Sequence, residues 1–261
     1  MTQEERRVYL IRALLEESGT QAGAIPAQEQ AQRDLLRTLM NVRPPRPIRR
    51  EVLEIQDAYL QTERDRRGVV NSDELPAVPG HPNIVLWQGD ITTLKADAIV
   101  NAANGALLGC FHPLHNCIDN LIHSRSGMQL RLLCSEIMAK QGREEPAGRA
   151  KLTPAFNLPG RYILHTVGPV VCGAVGAYER ETLASCYRSC LELAVENGCR
   201  SVAFCCISTG EFHFPNEAAA NIAVRTVMSC LNAQKGDLRV IFNVFKDVDL
   251  RIYQHLLGVS E

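Results

Sequence analysis

From Asn83 onward, short β-branched apolar runs alternate with amphipathic helical stretches, and this alternation limits the possible folds more than any other feature of the chain. The runs are NIVLW (83–87), DAIVNA (97–102), AKLTPA (150–155), RYILHTV (161–167), SVAFCCI (201–207) and RVIFNVF (239–245). Helical spacing predicts helices around 128–141, 178–197 and 216–233, and a last one after Asp247. Strands that are continuously apolar need cover on both faces, so the pattern predicts an α/β sandwich. Ligands of such folds bind in the loops beyond the strand ends, and chemistry is therefore sought just after each strand.

Residues 1–75 differ in style and read as a helical extension packed on a main domain of residues 76–261. Thr2 and Glu5 form a capping-box signal ahead of Tyr9, Leu10, Leu14 and Leu15 at helical spacing. A second helix carries Leu35, Leu36, Leu39 and Met40 and must stop before RPPRPI. The third candidate, 50–67, ends at Gly68. The stretch NSDELPAVPGHP links the two regions.

Charge narrows the partners. The 28 basic and 29 acidic side chains nearly cancel, which gives no footprint for nucleic acid or an anionic membrane, so any phosphate must be held locally. Charges run through MTQEERRVYLIRALLEES, where a signal peptide would need an apolar core, and no later run is long enough to span a bilayer. A soluble cytoplasmic protein is expected. Of the ten cysteines, Cys186, Cys190, Cys199, Cys205, Cys206 and Cys230 sit in apolar helix- or strand-like contexts and are read as buried small hydrophobes.

Four loops carry the remaining signal. QGDIT (88–92) follows the first main-domain strand and on its own reads more readily as an ordinary turn. In NAANGALLGC (101–110), Asn101 and Asn104 stand where a buried strand enters a Gly-containing loop; an amide there can orient a sugar hydroxyl or cap the local backbone. STGEFHFPNE (208–217) offers the backbone N–H groups and hydroxyls of Ser208, Thr209 and Gly210 to an anion without a lysine or arginine, and Phe212 or Phe214 places a ring at the rim. GCFHPLHNC (109–117) contains Cys110, His115 and Cys117 as C-x4-H-x-C, with His112 between them. The spacing admits a metal site and equally admits loop residues with no metal.

Together, GDIT, the strand running into NAAN, LHTVGP (164–169) and ISTGEFHFP (207–215) resemble the macrodomain family over roughly residues 83–257. The resemblance implies a three-layer α/β/α sandwich with a mixed central sheet that binds ADP-ribose at the sheet edge. It implies that Asp90 accepts from the adenine amino group beside the Ile91 backbone, and that Asn104 holds the distal ribose. Ser208, Thr209, Gly210, Glu211 and Phe212 would wrap the diphosphate, with Phe212 against that ribose. Cys117, Ile118 and Asp119 would line the same end. The loop after NAAN and the GEFHFP sequence depart from the usual hydrolytic pattern, and with the helical extension they resemble the zinc-containing subclass, which removes mono-ADP-ribose from proteins.

Three donors in the loop expected at the distal ribose point to an open site, with one Zn2+ per chain held by Cys110, His115 and Cys117, since structural zinc uses four ligands and the chain has no CxxC pair. A fourth ligand from His112 or His123 would make it structural instead. Asn104, Asp119 and Glu211 are the candidate catalytic side chains, Asp119 competing with a role as helix N-cap and Glu211 with that of a solvated loop charge. The leading expectation is a zinc-dependent hydrolase acting on ADP-ribosylated protein. The alternatives are a reader that binds ADP-ribose without chemistry and a thiol-rich redox or metal-sensing protein. Some members of the subclass are partners of a sirtuin-type ADP-ribosyltransferase that modifies a lipoyl-carrier protein, and the resemblance implies that pairing as well.

Overall fold

The computed structural model describes residues 1–19, 25–233 and 236–259. The extension consists of α1 (Gln3–Glu17), α2 (Glu29–Val42) and α3 (Arg50–Arg67). Thr2 and Glu5 close the capping box on α1 reciprocally, and α3 stops at Gly68, whose φ of 85° a side chain would resist. Leu10, Ile11, Leu14, Leu36, Met40 and Tyr59 form a core of their own, which Met128 of the main domain joins.

The chain then runs β1 (Val70–Asn71), β2 (Ile84–Gln88), β3 (Leu94–Lys95), β4 (Ala98–Ala103), α4 (Ile118–Ser126), α5 (Met128–Gln141), β5 (Ala150–Pro154), β6 (Tyr162–Val167), α6 (Ala177–Glu196), β7 (Ser201–Phe204), α7 (Asn216–Ala233), β8 (Arg239–Val244) and α8 (Asp247–Leu257). Six strands form one sheet in the order β2-β8-β7-β4-β6-β5, parallel except for β5, which pairs antiparallel with β6 at the edge. β1 and β3 pair separately in a two-stranded ladder too short to show in the apolar pattern.

Side chains alternate between the two faces with the strand period. Ala98, Val100, Val202, Phe204, Val240 and Phe242 face α6, α7 and α8, while Ile99, Ala203, Ile241 and Ile163 face α4 and α5. The result is a three-layer α/β/α sandwich. Among the described residues, no helix is long and apolar enough to cross a membrane.

Two expectations need correction. The run SVAFCCI is strand only to Phe204; Cys205 and Cys206 leave the sheet to enter a loop and, like Cys230, are half-buried rather than buried. The helix expected to follow an Asp119 cap begins earlier: α4 opens at Ile118, and its inward face carries Asp119, Asn120, His123 and Ser124, all buried, in place of an apolar stripe.

Parallel strands bring the loops after β2, β4, β6, β7 and β8 to one end of the sheet. At the opposite end Asp97 gathers the strand starts: its carbonyl accepts from the N–H groups of Arg161 and Tyr162, and its carboxylate accepts from the N–H of Arg200 at 2.7 Å.

Candidate active site and metal centre

Asp90 ends the first loop as the N-cap of a short 3-10 turn, accepting from the Thr92 amide at 3.1 Å and its hydroxyl at 2.7 Å. Its other oxygen is paired with Arg125 of α4. Burial works to raise the Asp90 carboxyl, and Arg125 with the two Thr92 donors outweighs it, leaving the group below the usual carboxylate range. Ile91 is buried beside it.

β4 delivers Asn101 and Asn104 to the second loop. Asn101 lies opposite His165 in the β4–β6 register, and its amide donates to Asp119 Oδ1 at 2.8 Å and to His165 Nδ1 at 3.1 Å. Asn104 accepts from the Ala106 N–H at 3.1 Å and donates to the Gly109 carbonyl at 3.2 Å and to Asp119 Oδ2 at 3.3 Å. Asn104 is therefore a local cap and also one of two amides fixed by a single carboxylate. Asp119 is not the N-cap of α4. That position belongs to Cys117, whose sulfur accepts from the Asn120 N–H at 3.4 Å, while Ile118 opens the helix and Asp119 turns inward.

The donor atoms of Cys110, His115 and Cys117 lie within 4.8 Å of one another, and Cys110 Sγ stands 3.5 Å from His115 Nδ1. Zinc–thiolate and zinc–imidazole bonds of about 2.3 and 2.0–2.1 Å in a tetrahedron give a sulfur–nitrogen edge of about 3.5 Å, so the observed spacing fits that ion. The second His115 nitrogen faces the Glu211 carboxylate at 3.5 Å, the arrangement that fixes the ring of a metal-bound histidine. Burial pushes the Cys117 thiol up to about 12, and the neighbouring Cys110 and Asp119 add to this. A divalent cation would reverse that balance. His112 lies outside this triad, its ring packing edgewise on His115 with centroids 5.4 Å apart.

A second potential donor set, His123, Cys134 and His165, is wholly buried on the α4–α5 side of the sheet. It reads as a polar knot in the core. Both His165 nitrogens are engaged, by Asn101 and by Thr153 at 2.9 Å, and burial pushes the Cys134 thiol up to about 12. Burial also pushes His165 down to about 4. Between that value and about 6.5 the unfolded chain binds a proton that the folded chain refuses, so stability falls as pH falls through this window, by about 3 kcal/mol. Asp119, raised by burial to about 6, acts in the opposite direction. The difference isolates the histidine: denaturant midpoints from pH 7 to pH 4 should show a weaker acid loss in His165→Gln than in the parent. Parallel pH profiles would refute it.

The loop after β7 meets the Cys110, His115 and Cys117 group through Glu211. Ser208 has φ 65° and is buried with its hydroxyl unpartnered, packed so tightly on Gly168 that a Cβ there would meet its Oγ at 2.0 Å. Thr209 turns its hydroxyl back to the Cys206 carbonyl, and the Phe212 carbonyl is tied to the Val171 N–H at 2.9 Å. Among the described residues, the N–H groups of Gly210, Glu211 and Phe212 have no protein acceptor. The Phe212 ring is half-buried at the rim and Phe214 is in the core. Sequence reasoning missed Arg125, Asn120 and, on α2, Arg37 and Asn41, all of which touch these loops. Asn41 adjoins the buried stripe of α2, which was the available signal for it; α4 offers no such stripe for Asn120.

A family model described as Macro domain matches residues 100–223. A protein-ADP-ribose hydrolase of Treponema medium is 51% identical over 261 residues, covering 99% of this chain and 100% of that protein. The protein-ADP-ribose hydrolase of Staphylococcus aureus strain MSSA476 is 51% identical over 222 residues, 85% of this chain and 83% of that one. Among solved structures, the Trypanosoma brucei macrodomain in complex with ADP-ribose superposes with a TM-score of 0.66 at 31% identity, covering 85% of this chain and 95% of that one. The Oceanobacillus iheyensis macrodomain with ADP gives 0.61 at 37% identity, over 67% and 90%.

Proposed function

The chain belongs to the macrodomain family, and from that premise we propose that it is a zinc-dependent hydrolase releasing mono-ADP-ribose from modified protein side chains. The observation that carries the reading is the convergence of Cys110, His115 and Cys117 beside the paired amides of Asn101 and Asn104 and across from Glu211. The names of the relatives and the ADP-ribose bound to the Trypanosoma brucei structure support the same substrate.

In this reading Asp90 and the Ile91 backbone receive the adenine. The free N–H groups of Gly210, Glu211 and Phe212 take the diphosphate, beside Ser208 and Thr209, as a neutral chain must do locally. Asn104 and Asp119 orient the distal ribose, and Phe212 bounds it. Cys110, His115 and Cys117 hold one Zn2+, which when bound supplies a Lewis acid and a lowered water pKa at the distal ribose. The Glu211 carboxylate, 3.5 Å from His115 Nε2, keeps the imidazole turned toward the two sulfurs. Ester-linked aspartate or glutamate is the favoured linkage, because a carboxylate departs without needing a proton from a strong general acid. The resemblance points to a lipoyl-carrier protein, modified by a sirtuin-type transferase in the same cytoplasm, as the target.

Metal analysis and incubation with aspartate- or glutamate-ADP-ribosylated protein test the proposal. About one zinc per chain and release of ADP-ribose that stops on chelation and returns with zinc are the expected results. Tight ADP-ribose binding without release would make the protein a reader.

A further inference from the structure

The segment 109–117 has little structure of its own: it forms one internal backbone hydrogen bond, from His115 N–H to the His112 carbonyl at 3.3 Å, and Gly109 and Leu114 have positive φ. Its shape is imposed by side chains from other elements. Asn120, fully buried on α4, donates to the carbonyls of Cys110 at 3.2 Å and His112 at 2.9 Å. Arg37 of α2 donates to the His115 carbonyl at 2.6 Å and to Asn120 Oδ1 at 2.9 Å, so one guanidinium holds both a candidate ligand and the residue that holds another. Asn41, one turn further along α2 and 1% exposed, accepts from the Leu114 N–H at 3.1 Å and donates to Ser124 of α4 at 2.7 Å. Arg131 of α5 fastens the same end of α2 to the start of the loop, donating to the carbonyls of Asn41 at 2.8 Å and Leu108 at 2.6 Å.

We propose that α2 of the helical extension is part of the metal centre, with Arg37 and Asn41 as positioning residues that hold the 110–117 loop in its ligating geometry. The inference rests on the zinc reading above and deepens it. A chelating loop with a single internal backbone hydrogen bond must be ordered from outside if its donors are to be preorganised, and residues that orient ligands in this way typically govern metal affinity by about 10–100-fold. Both bonds leave one terminal nitrogen, Arg37 Nη2, so a lysine ammonium, with its three donors on a shorter stem, replaces them only in part.

The test compares the full-length parent with Arg37→Met and Arg37→Lys, each loaded with zinc and challenged with a chromogenic chelator. Zinc should leave Arg37→Met at least about tenfold faster than the parent, with Arg37→Lys between them, while the thermal midpoints of the metal-free proteins stay close. Asn41→Leu, which removes the acceptor for Leu114, should show the same loss and serves if Arg37→Met does not fold. Equal zinc release by parent and variants overturns the positioning role and leaves the zinc reading standing. Lower metal-free midpoints with unchanged zinc release mean that α2 is only packing, and overturn it too. A parent that holds no zinc overturns both.

Discussion

Cys117→Ala should lose its zinc and release ADP-ribose from modified protein roughly a thousandfold more slowly than the parent, the loss of about 4 kcal/mol of transition-state stabilisation by a Lewis acid. The substitution also removes the N-cap of α4, worth about 1 kcal/mol of stability, so the two roles must be separated. Cys117→Ser does so: the hydroxyl can still accept from the Asn120 N–H, but it is a poor ligand for zinc. Cys117→Ser should therefore keep most of the thermal stability and share the loss of metal and turnover. Wild-type release by either variant, measured alongside its zinc content, would remove the metal from the reaction.

Asp119→Ala should lower kcat by about a hundredfold with a smaller change in KM, the size of effect that follows from misplacing a sugar by about an ångström. One buried carboxylate fixes Asn101 at 2.8 Å and Asn104 at 3.3 Å, and without it both amides are free to turn. Asp119→Asn is the sharper control. Its shape is unchanged, but its NH2 must confront the NH2 of one of the two asparagines, so it should recover little of the rate. Full activity in Asp119→Asn would show that the charge and both acceptor oxygens are dispensable.

The sequence made the layered sandwich legible because burial of the parallel strands leaves runs such as VAF and VIF with no polar face, and because Thr2, Glu5 and Gly68 mark helix ends by chemistry that acts locally. The local cluster of Cys110, His115 and Cys117 was legible for the same reason. What stayed hidden depends on contacts between distant segments. Arg37 lies 78 residues before the carbonyl it holds, and Asn101 meets His165 only through the register of β4 and β6. α4 was legible only through a candidate cap at Asp119, because its buried face is polar and the usual apolar period is missing just where the site is built.

The polarity of the sheet also bears on how the protein can be handled. The strand starts tied together by Asp97 lie a full strand away from the loops that would hold the ligand, about 20 Å for a six-residue strand. A fluorophore or surface tether attached near Arg161 or Arg200 should therefore leave the cleft open to a macromolecular substrate. Immobilised protein coupled there should keep its turnover, whereas coupling through the loop ends should block it.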